Sequence, residues 1–165
     1  MCLKSKAIFL DRDGTINEDY GYVYKLSDLK LIEGVTKELT RLQDRGYLLI
    51  IVTNQSGIGR NKYTYEDALR FNDGLLTVLK KEKVFITDVF MCPHVPEENC
   101  ECRKPKPGML RGAMKKYNID PGQSYMLGDK MSDVECGQNA GVSSFLITHK
   151  NDLHHWVDLI LKEDI

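Results

Sequence analysis

Short apolar runs alternate with stretches of helical periodicity along the whole chain. Five apolar runs predict strands: AIFL (7–10), YLLIIV (47–52), FITDVFMC (85–92), SYMLG (124–128) and SSFLIT (143–148). YLLIIV is continuous and rich in β-branched residues, which is typical of a strand covered on both faces. The pattern therefore indicates a mostly parallel sheet between two layers of helices.

Between these runs, apolar residues recur at the spacing of an amphipathic helix. The pattern predicts helices over 34–46, 64–83, from 107 or 108 to about 117, over about 131–140, and over 152–163. Strict alternation of strand and helix predicts right-handed βαβ units. We therefore expect a single doubly wound, Rossmann-like α/β domain that spans residues 1–165.

The composition, 42% hydrophobic and 28% charged residues, is that of a folded globular protein. A net charge of −1 gives no electrostatic indication of binding to nucleic acid or to an anionic membrane. No run approaches the roughly 20 apolar residues that cross a bilayer, and the apolar stretch before Asp11 is too short for a secretory signal. We expect a cytoplasmic protein that acts on a small molecule, without nucleic-acid or membrane partners.

Carboxylates follow two of the predicted strands. DRDGT places Asp11 and Asp13 after the first strand, and GDKMSD places Asp129 and Asp133 after the fourth. Each aspartate taken alone is most simply a turn former or a helix cap. In doubly wound folds, however, ligands bind beyond the carboxyl ends of the strands. Crowded carboxylates need a cation or a shared proton, and an oxygen-rich site of this kind suits magnesium.

Two further segments supply groups that suit a phosphate. The second strand runs into VTNQSGIGR, where Thr53 offers a hydroxyl and Gly57 and Gly59 leave backbone N–H groups accessible to an anion. Arg60 adds positive charge there, and Lys104 follows a constrained loop in CRKPKPG. A fixed lysine and a hydroxyl facing two aspartates could neutralise a transferring phosphoryl group while one aspartate attacks it.

The motifs DRDGT, VTNQ, RKPKPG and GDKMSD, in that order, resemble the four motifs of the haloacid-dehalogenase superfamily of aspartyl-phosphate phosphatases. The resemblance implies that Asp11 is the nucleophile and that Asp13 protonates the leaving alcohol and later activates water. It implies that Thr53 and Lys104 stabilise the phosphoryl oxygens. A second aspartate at the position of Asp13 is typical of phosphate-ester hydrolysis rather than of carbon–halogen chemistry.

The same resemblance implies a catalytic magnesium site. Asp11, Asp129 and the backbone carbonyl of Asp13 are the implied Mg²⁺ ligands, and Asp133 is expected to support the site without contacting the ion. No insertion between Asp13 and Thr53, or between Thr53 and Lys104, is long enough for a separate cap domain. We therefore expect an uncapped phosphatase whose substrate itself covers the pocket.

The segment CPHVPEENCEC predicts a small zinc-binding loop. Cys92, His94, Cys100 and Cys102 provide three thiolates and one imidazole, which fill a tetrahedral Zn²⁺ shell and leave no position for substrate. The alternative is a set of unrelated buried cysteines and a surface histidine. We interpret the site as structural, fixing the loop that carries Arg103 and Lys104.

Zinc-loop members of the superfamily include phosphatases of heptose bisphosphate and of histidinol phosphate, and this chain is similar to both. The motifs resemble more closely those that remove the 7-phosphate of D-glycero-D-manno-heptose 1,7-bisphosphate in nucleotide-activated heptose and lipopolysaccharide biosynthesis. The implied substrate-binding residues are Asp19, Tyr20, Gly21, Tyr22, Thr53, Asn54, Gln55, Ser56, Arg60, Arg103 and Lys104.

Three features bear on the choice of substrate. The guanidinium of Arg103 suits the distal 1-phosphate, because it can bind that dianion in bidentate fashion. The five residues between His94 and Cys100 resemble the shorter zinc loop of histidinol-phosphate enzymes. Tyr20 and Tyr22 could contact a sugar or pack on the protein's own surface. Histidinol phosphate or another small sugar phosphate is the alternative substrate, and a monomer is expected.

Overall fold

Five parallel strands form one sheet in the computed structural model, which describes residues 3–163. The strands are β1 (Ala7–Leu10), β2 (Leu48–Asn54), β3 (Asp88–Cys92), β4 (Tyr125–Gly128) and β5 (Ser143–Leu146). Their order is β3-β2-β1-β4-β5, and every neighbouring pair is parallel. The predicted doubly wound α/β fold is confirmed.

Helices connect the strands as the periodicity predicted. They are α1 (Val35–Asp44), α2 (Ser56–Gly59), α3 (Tyr65–Lys81), α4 (Gly108–Tyr117), α5 (Met131–Asn139) and α6 (Leu153–Glu163). The apolar pattern did not predict α2, because a helix of four residues is too short to show a hydrophobic period of 3.6 residues. Thr64 caps α3: its hydroxyl accepts from the Asp67 amide at 3.1 Å, and the Asp67 carboxylate accepts from the Thr64 amide at 2.8 Å.

Five strand boundaries differ from the prediction by one to three residues: both ends of β2, the starts of β3 and β4, and the end of β5. The third strand starts at Asp88 rather than at residue 85, because Phe85 is 55% exposed and its amide donates to the Gln43 side chain instead of to the sheet. The second strand extends to Thr53 and Asn54, which pair with the last residues of β3. Both polar side chains are therefore fixed by a strand rather than carried on a loop.

The core lies in two layers on opposite faces of the sheet. Ile8 and Leu10 of β1 pack with α1, α3 and α6, whereas Ala7 and Phe9 pack with α4 and α5. All four side chains are fully buried. Burial on both faces explains why β1 is apolar at every position instead of alternating.

The chain changes direction across the sheet at β1. This strand pairs with β2 on one side and with β4 on the other, which creates a crevice at their carboxyl ends where such folds bind ligands. Asp11 follows β1 and Asp129 follows β4. Gly14 allows the close approach: its φ is +83°, and an added Cβ would lie 2.3 Å from Asp129 Oδ2.

Within residues 3–163, no insertion folds into a separate cap domain. The segments that follow β1 and β3 carry only short 3-10 turns, at Leu26–Asp28 and Pro96–Glu98. The edge of the sheet that bears the strand-end carboxylates is therefore bordered only by loops, short 3-10 turns and the four-residue helix α2. None of the helices in this range is both long enough and apolar enough to cross a membrane.

Cys2, interpreted from the sequence as an ordinary terminal thiol, lies outside the described residues.

Candidate active site

A buried ion pair joins the first strand to the loop after β3. Lys104 Nζ donates to Asp11 Oδ1 at 2.7 Å, and both residues are about nine-tenths buried or more. Burial opposes ionisation of Asp11, but the charge and hydrogen bond of Lys104 outweigh it and lower the pKa of this carboxyl below its usual value. Asp11 is therefore a carboxylate at neutral pH, with one oxygen held by an ammonium group.

Lys104 has two further acceptors. Its Nζ lies 2.6 Å from Asp133 Oδ1 and donates to the Val52 carbonyl at 2.8 Å. Burial would lower the pKa of Lys104, but the charges of Asp11 and Asp133 raise it. The lysine is thus charged and completely bonded. Asp133, expected only to support a metal site, also pairs directly with this lysine.

Asn54 places the Lys104 backbone. Its side-chain nitrogen donates to the Lys104 carbonyl at 3.2 Å, and its side-chain oxygen accepts from the Lys104 amide at 3.1 Å. The Lys104–Pro105 peptide is cis. Asn54, a predicted substrate-binding residue, uses its amide group to align the lysine with Asp11.

Three carboxylates are close enough to share a cation. Asp11, Asp129 and Asp133 each offer an oxygen, and these atoms lie within 4.8 Å of one another. Burial, followed by the negative charge of Asp11, raises the pKa of Asp129 to about 6. Carboxylates that repel one another in this way fit a magnesium ion, which would relieve the repulsion.

The Asp13 side chain is bonded elsewhere. Its carboxylate accepts from Arg12, Asn17 and Gln55, in each case at 2.9 Å. A metal contact from Asp13 would therefore use the backbone carbonyl, as the sequence motif implied. The side chain is left for chemistry that does not involve the metal.

Gln55 connects Asp13 to Thr53. Its Nε2 lies 2.9 Å from Asp13 Oδ2 and 2.8 Å from Thr53 Oγ1, and its Oε1 accepts from the Tyr63 hydroxyl at 2.5 Å. Burial raises the pKa of Tyr63 to about 12, so the phenol remains a neutral donor. Because Thr53 Oγ1 accepts from Gln55, the Thr53 proton can be donated to a phosphoryl oxygen. Gln55 is predicted to bind substrate, and in the structure its side-chain amide forms this bridge.

The segment Asp19–Tyr22 forms one border of the crevice. Asp19 Oδ1 accepts from the Gly21 amide, and Gly21 and Tyr22 both adopt left-handed backbone conformations, with φ of +78° and +51°. Tyr20 is 62% exposed, whereas Tyr22 packs edge-on against Tyr63 with a centroid distance of 6.5 Å. Tyr20 is therefore accessible to a ligand, and Tyr22 is in part a packing residue.

Lys130 is a charged group that sequence analysis did not identify, although it lies within GDKMSD. Burial would lower its pKa, but Asp11, Asp129 and Asp19 raise it, which places its ammonium in the field of the acidic cluster. Its Nζ is 3.4 Å from Asp19 Oδ2. Lys130 therefore links the Asp19–Tyr22 border to the strand-end carboxylates.

The remaining predicted residues lie around α2 and the loop after β3. Ser56 is the first residue of α2. Arg60 directly follows the last residue of this helix and is exposed. Arg103 is partly buried and donates to the His94 carbonyl at 3.2 Å. Both arginines are thus close in sequence to residues that form the crevice.

The four predicted zinc ligands converge. Cys102 Sγ lies 3.1 Å from Cys92 Sγ and 3.5 Å from Cys100 Sγ, and His94 Nδ1 lies 3.3 Å from Cys102 Sγ. The edges of a tetrahedron around zinc are about 3.8 Å long for Zn–S bonds of about 2.3 Å. Three thiols and one ring nitrogen grouped at nearly this spacing fit a single Zn²⁺ with no open position.

The loop that carries the predicted zinc ligands is hydrogen-bonded to the segment that follows β2. The carbonyl of Cys92, the last residue of β3, accepts from the Gln55 amide at 2.7 Å, and the Pro93 carbonyl accepts from the Gly59 amide at 3.1 Å. Cys136 lies apart from the cluster, buried in α5, where burial raises its pKa to about 12. The loop therefore contacts Gln55 and Gly59 on one side and continues along the chain to Lys104 on the other.

Known proteins resemble this chain in sequence. A family model described as HAD-hydrolase-like matches residues 101–159. The D-glycero-beta-D-manno-heptose-1,7-bisphosphate 7-phosphatase of Haemophilus ducreyi is 47% identical, with 84% of this chain and 80% of that protein covered. The D-glycero-alpha-D-manno-heptose-1,7-bisphosphate 7-phosphatase of Campylobacter jejuni is 40% identical, with 90% of this chain and 85% of that protein covered.

A solved structure resembles the fold over almost its whole length. The D,D-heptose 1,7-bisphosphate phosphatase from B. bronchiseptica, crystallised with magnesium and phosphate, has a TM-score of 0.88 and 27% sequence identity. The match covers 96% of this chain and 99% of that one. The resemblance carried by the four motifs is therefore confirmed, and the chain belongs to the D-glycero-D-manno-heptose-1,7-bisphosphate 7-phosphatase family of haloacid-dehalogenase-like hydrolases.

Proposed function

We propose that this protein hydrolyses the 7-phosphate of D-glycero-D-manno-heptose 1,7-bisphosphate through an aspartyl-phosphate intermediate. The arrangement that carries the proposal is the ionised Asp11 carboxylate, held 2.7 Å from Lys104 at the carboxyl end of β1. Relatives that are 40% to 47% identical and named for this activity support the choice of substrate. The chain is proposed to act as a single phosphatase domain, as a monomer in the cytoplasm.

The first step transfers the phosphoryl group to Asp11. An Asp11 oxygen attacks phosphorus, the bond to the sugar oxygen breaks, and Asp13 gives that oxygen a proton. The Thr53 hydroxyl donates to a phosphoryl oxygen, and the positive charge of Lys104, held beside Asp11, stabilises the negative charge that shifts onto the phosphoryl group. In the second step, Asp13 takes a proton from water, which attacks phosphorus and releases Asp11. A bound Mg²⁺, held by Asp11, Asp129 and the Asp13 carbonyl, would supply positive charge to the phosphate.

The rest of the substrate is proposed to lie between Asp19–Tyr22 and the two arginines. Arg103 and Arg60 offer guanidinium groups for the 1-phosphate, a group that only a bisphosphate carries. Ser56 and the exposed ring of Tyr20 are proposed to contact the sugar. Asn54 and Gln55, whose side chains are bonded within the protein, are proposed to contribute by aligning Lys104, Asp13 and Thr53.

Phosphate release with Mg²⁺ tests the proposal. The substrates are both anomers of heptose 1,7-bisphosphate, histidinol phosphate and fructose 1,6-bisphosphate. A preference in kcat/KM of about 100-fold for one heptose anomer, equal to ~2.7 kcal/mol of differential transition-state binding, is the expected result. A preference for histidinol phosphate would keep the chemistry and overturn the substrate, and it would favour the interpretation based on the short zinc loop.

Magnesium affinity is expected to depend on pH through Asp129. The pKa of this carboxyl is raised to about 6, so above that pH it is ionised and binds the ion, and below it a proton competes. Titration calorimetry should therefore give a Kd about tenfold weaker at pH 5 than at pH 7.5. Equal affinity at the two pH values would contradict a role for Asp129 as ligand, and Asp44→Asn, at an exposed position, is the control that should change nothing.

Zinc is expected at about one ion per chain, with a structural role. Cys92→Ser should lose the metal and lower Tm by about 5 °C or more, because the loop loses its link between β3 and Lys104. Cys136→Ala is the matched control, because this buried cysteine lies outside the cluster and its loss should leave the zinc content unchanged. Metal analysis of freshly purified protein without zinc would contradict the assignment.

A further inference from the structure

The residue between the two strand-end aspartates is a fully buried arginine. Arg12 Nε and Nη2 donate to the two oxygens of Asp13, each at 2.9 Å. Nη1 donates to Asn72 Oδ1 and Nη2 also donates to the Val23 carbonyl, both at 2.8 Å. The guanidinium carbon lies 4.4 Å from the centroid of the Phe71 ring. Four hydrogen bonds and the face of an aromatic ring thus hold the guanidinium group in place.

The fork between Arg12 and Asp13 is directional. Two parallel hydrogen bonds fix the plane of a carboxylate as well as its distance, which the single ammonium of a lysine cannot do. The contacts to Asn72 and Val23 hold the guanidinium from behind, so the fork has little freedom to rotate. A buried charge is costly unless it is paired, and Asp13 provides the pairing carboxylate.

The other edges of the Asp13 carboxylate are also defined. Asn17 donates to Oδ1 and Gln55 donates to Oδ2, each at 2.9 Å. With the Arg12 fork included, each oxygen of the ionised carboxylate accepts two hydrogen bonds, so a proton carried on Oδ2 takes the lone pair that accepts from Gln55 in this form. Because the Gln55 nitrogen also contacts Thr53 Oγ1, Oδ2 is the oxygen on the side of the phosphate-binding hydroxyl.

We propose that Arg12 is a positioning residue, which holds Asp13 so that Oδ2 is presented to the leaving oxygen of the substrate. The inference rests on the proposed phosphatase function and adds a residue that does not touch substrate. When the bond from phosphorus to the leaving oxygen breaks, its electron pair stays on that oxygen, which takes the Asp13 proton, and a new bond joins phosphorus to Asp11. Arg12 then pairs with the Asp13 carboxylate that remains.

A leaving-group series separates this role from simple stabilisation of the fold. Phenyl, 4-nitrophenyl and 2,4-dinitrophenyl phosphate depend to decreasing degrees on protonation of the leaving oxygen. Values of kcat/KM with Mg²⁺ cover the steps up to phosphoenzyme formation, and so exclude the hydrolysis step that all three esters share. Asp13→Asn serves as the reference variant that has lost proton donation.

Arg12→Lys, which keeps the charge and loses the fork, is expected to lower kcat/KM for phenyl phosphate by about 100-fold and for 2,4-dinitrophenyl phosphate by less than about threefold. Asp13→Asn should give the same pattern, and Arg12→Lys in its background should add no further selectivity. Leu79→Ala, a core change in α3 remote from Asp13, should affect all three esters equally.

Equal losses on all three esters in Arg12→Lys, beside a selective Asp13→Asn, would overturn the positioning role and leave the phosphatase function intact. An Asp13→Asn variant without selectivity would instead overturn the assignment of Asp13 as acid, and the inference with it. If Arg12→Lys does not fold, Asn72→Leu removes the acceptor behind the fork without touching Asp13. It is expected to show a smaller selectivity of about threefold or more, and no selectivity there would overturn the inference.

Discussion

Replacing Asp11 with asparagine is expected to lower kcat by at least about 10⁴-fold, or ~5.4 kcal/mol of transition-state stabilisation. The amide oxygen is a poor nucleophile and carries no charge, so the aspartyl-phosphate cannot form. Steady-state phosphate release measures the loss. Unfolding in urea should show a stable protein, because Lys104 keeps its contact with Asp133 at 2.6 Å.

The control for this variant is Asp44→Asn, which makes the same chemical change at an exposed position of α1. It should retain full activity. Mass spectrometry of Asp11→Asn excludes deamidation back to aspartate, which would restore turnover. Activity above a few per cent in intact Asp11→Asn would remove Asp11 as the nucleophile.

Replacing Lys104 with methionine is expected to reduce both activity and stability. The change leaves the buried Asp11 and Asp133 carboxylates without their shared cation, and breaking a buried ion pair costs about 3–5 kcal/mol. Urea unfolding at pH 7 measures this loss in the free energy of unfolding. Loss of an ammonium from the phosphoryl site should also lower kcat by about 10³-fold.

The loss of stability in Lys104→Met should shrink as the pH falls toward 5. Without the lysine, burial raises the pKa of both carboxyls above the values in the unfolded chain, so the folded variant binds more protons and gains stability as pH falls. Lys106→Met is the matched control, since its partner Glu101 is exposed, and it should change stability by less than about 0.5 kcal/mol. A difference between wild type and Lys104→Met that did not vary with pH would contradict the assigned charges.

A zinc ion bound by Cys92, His94, Cys100 and Cys102 would fix the loop after β3 beside the proposed active site. The same loop is also hydrogen-bonded to the two ends of α2, through the Gln55 and Gly59 amides. Arg103 and Lys104 directly follow Cys102, the last of the four predicted zinc ligands. Loss of zinc is therefore expected to affect activity through Lys104 as well as stability.

The sequence by itself determined the fold and the positions of the motifs. Continuous apolar strands such as β1 imply burial on both faces, and alternation with helices implies a parallel sheet. Parallel strands bring their carboxyl ends to one edge, so Asp11, Thr53 and Asp129 could be placed together without coordinates. The cluster of three cysteines and one histidine could also be predicted, because four residues of the types that bind zinc lie within eleven positions.

The strand boundaries were harder to predict from the sequence. β3 lies at the edge of the sheet and its residues are mostly half-buried, so its apolar run does not show where pairing begins. The ladder starts at Asp88 because Phe85 bonds to Gln43 across the start of the strand. The local pattern of apolar residues indicates which side chains are buried. A strand boundary depends instead on which backbone N–H and C=O groups form hydrogen bonds to the neighbouring strand.

Only the tertiary structure decided which partner each polar side chain takes. Lys104 and Asp11 are 93 positions apart, and Gln55 and Asp13 are 42 positions apart, so no local pattern reports their contacts. Sequence analysis therefore assigned Gln55 to the substrate, and it gave no role to Arg12. A hydrogen bond depends on distances of a few tenths of an ångström, which are set by the packing of β1, β2 and α3 rather than by neighbours in the chain.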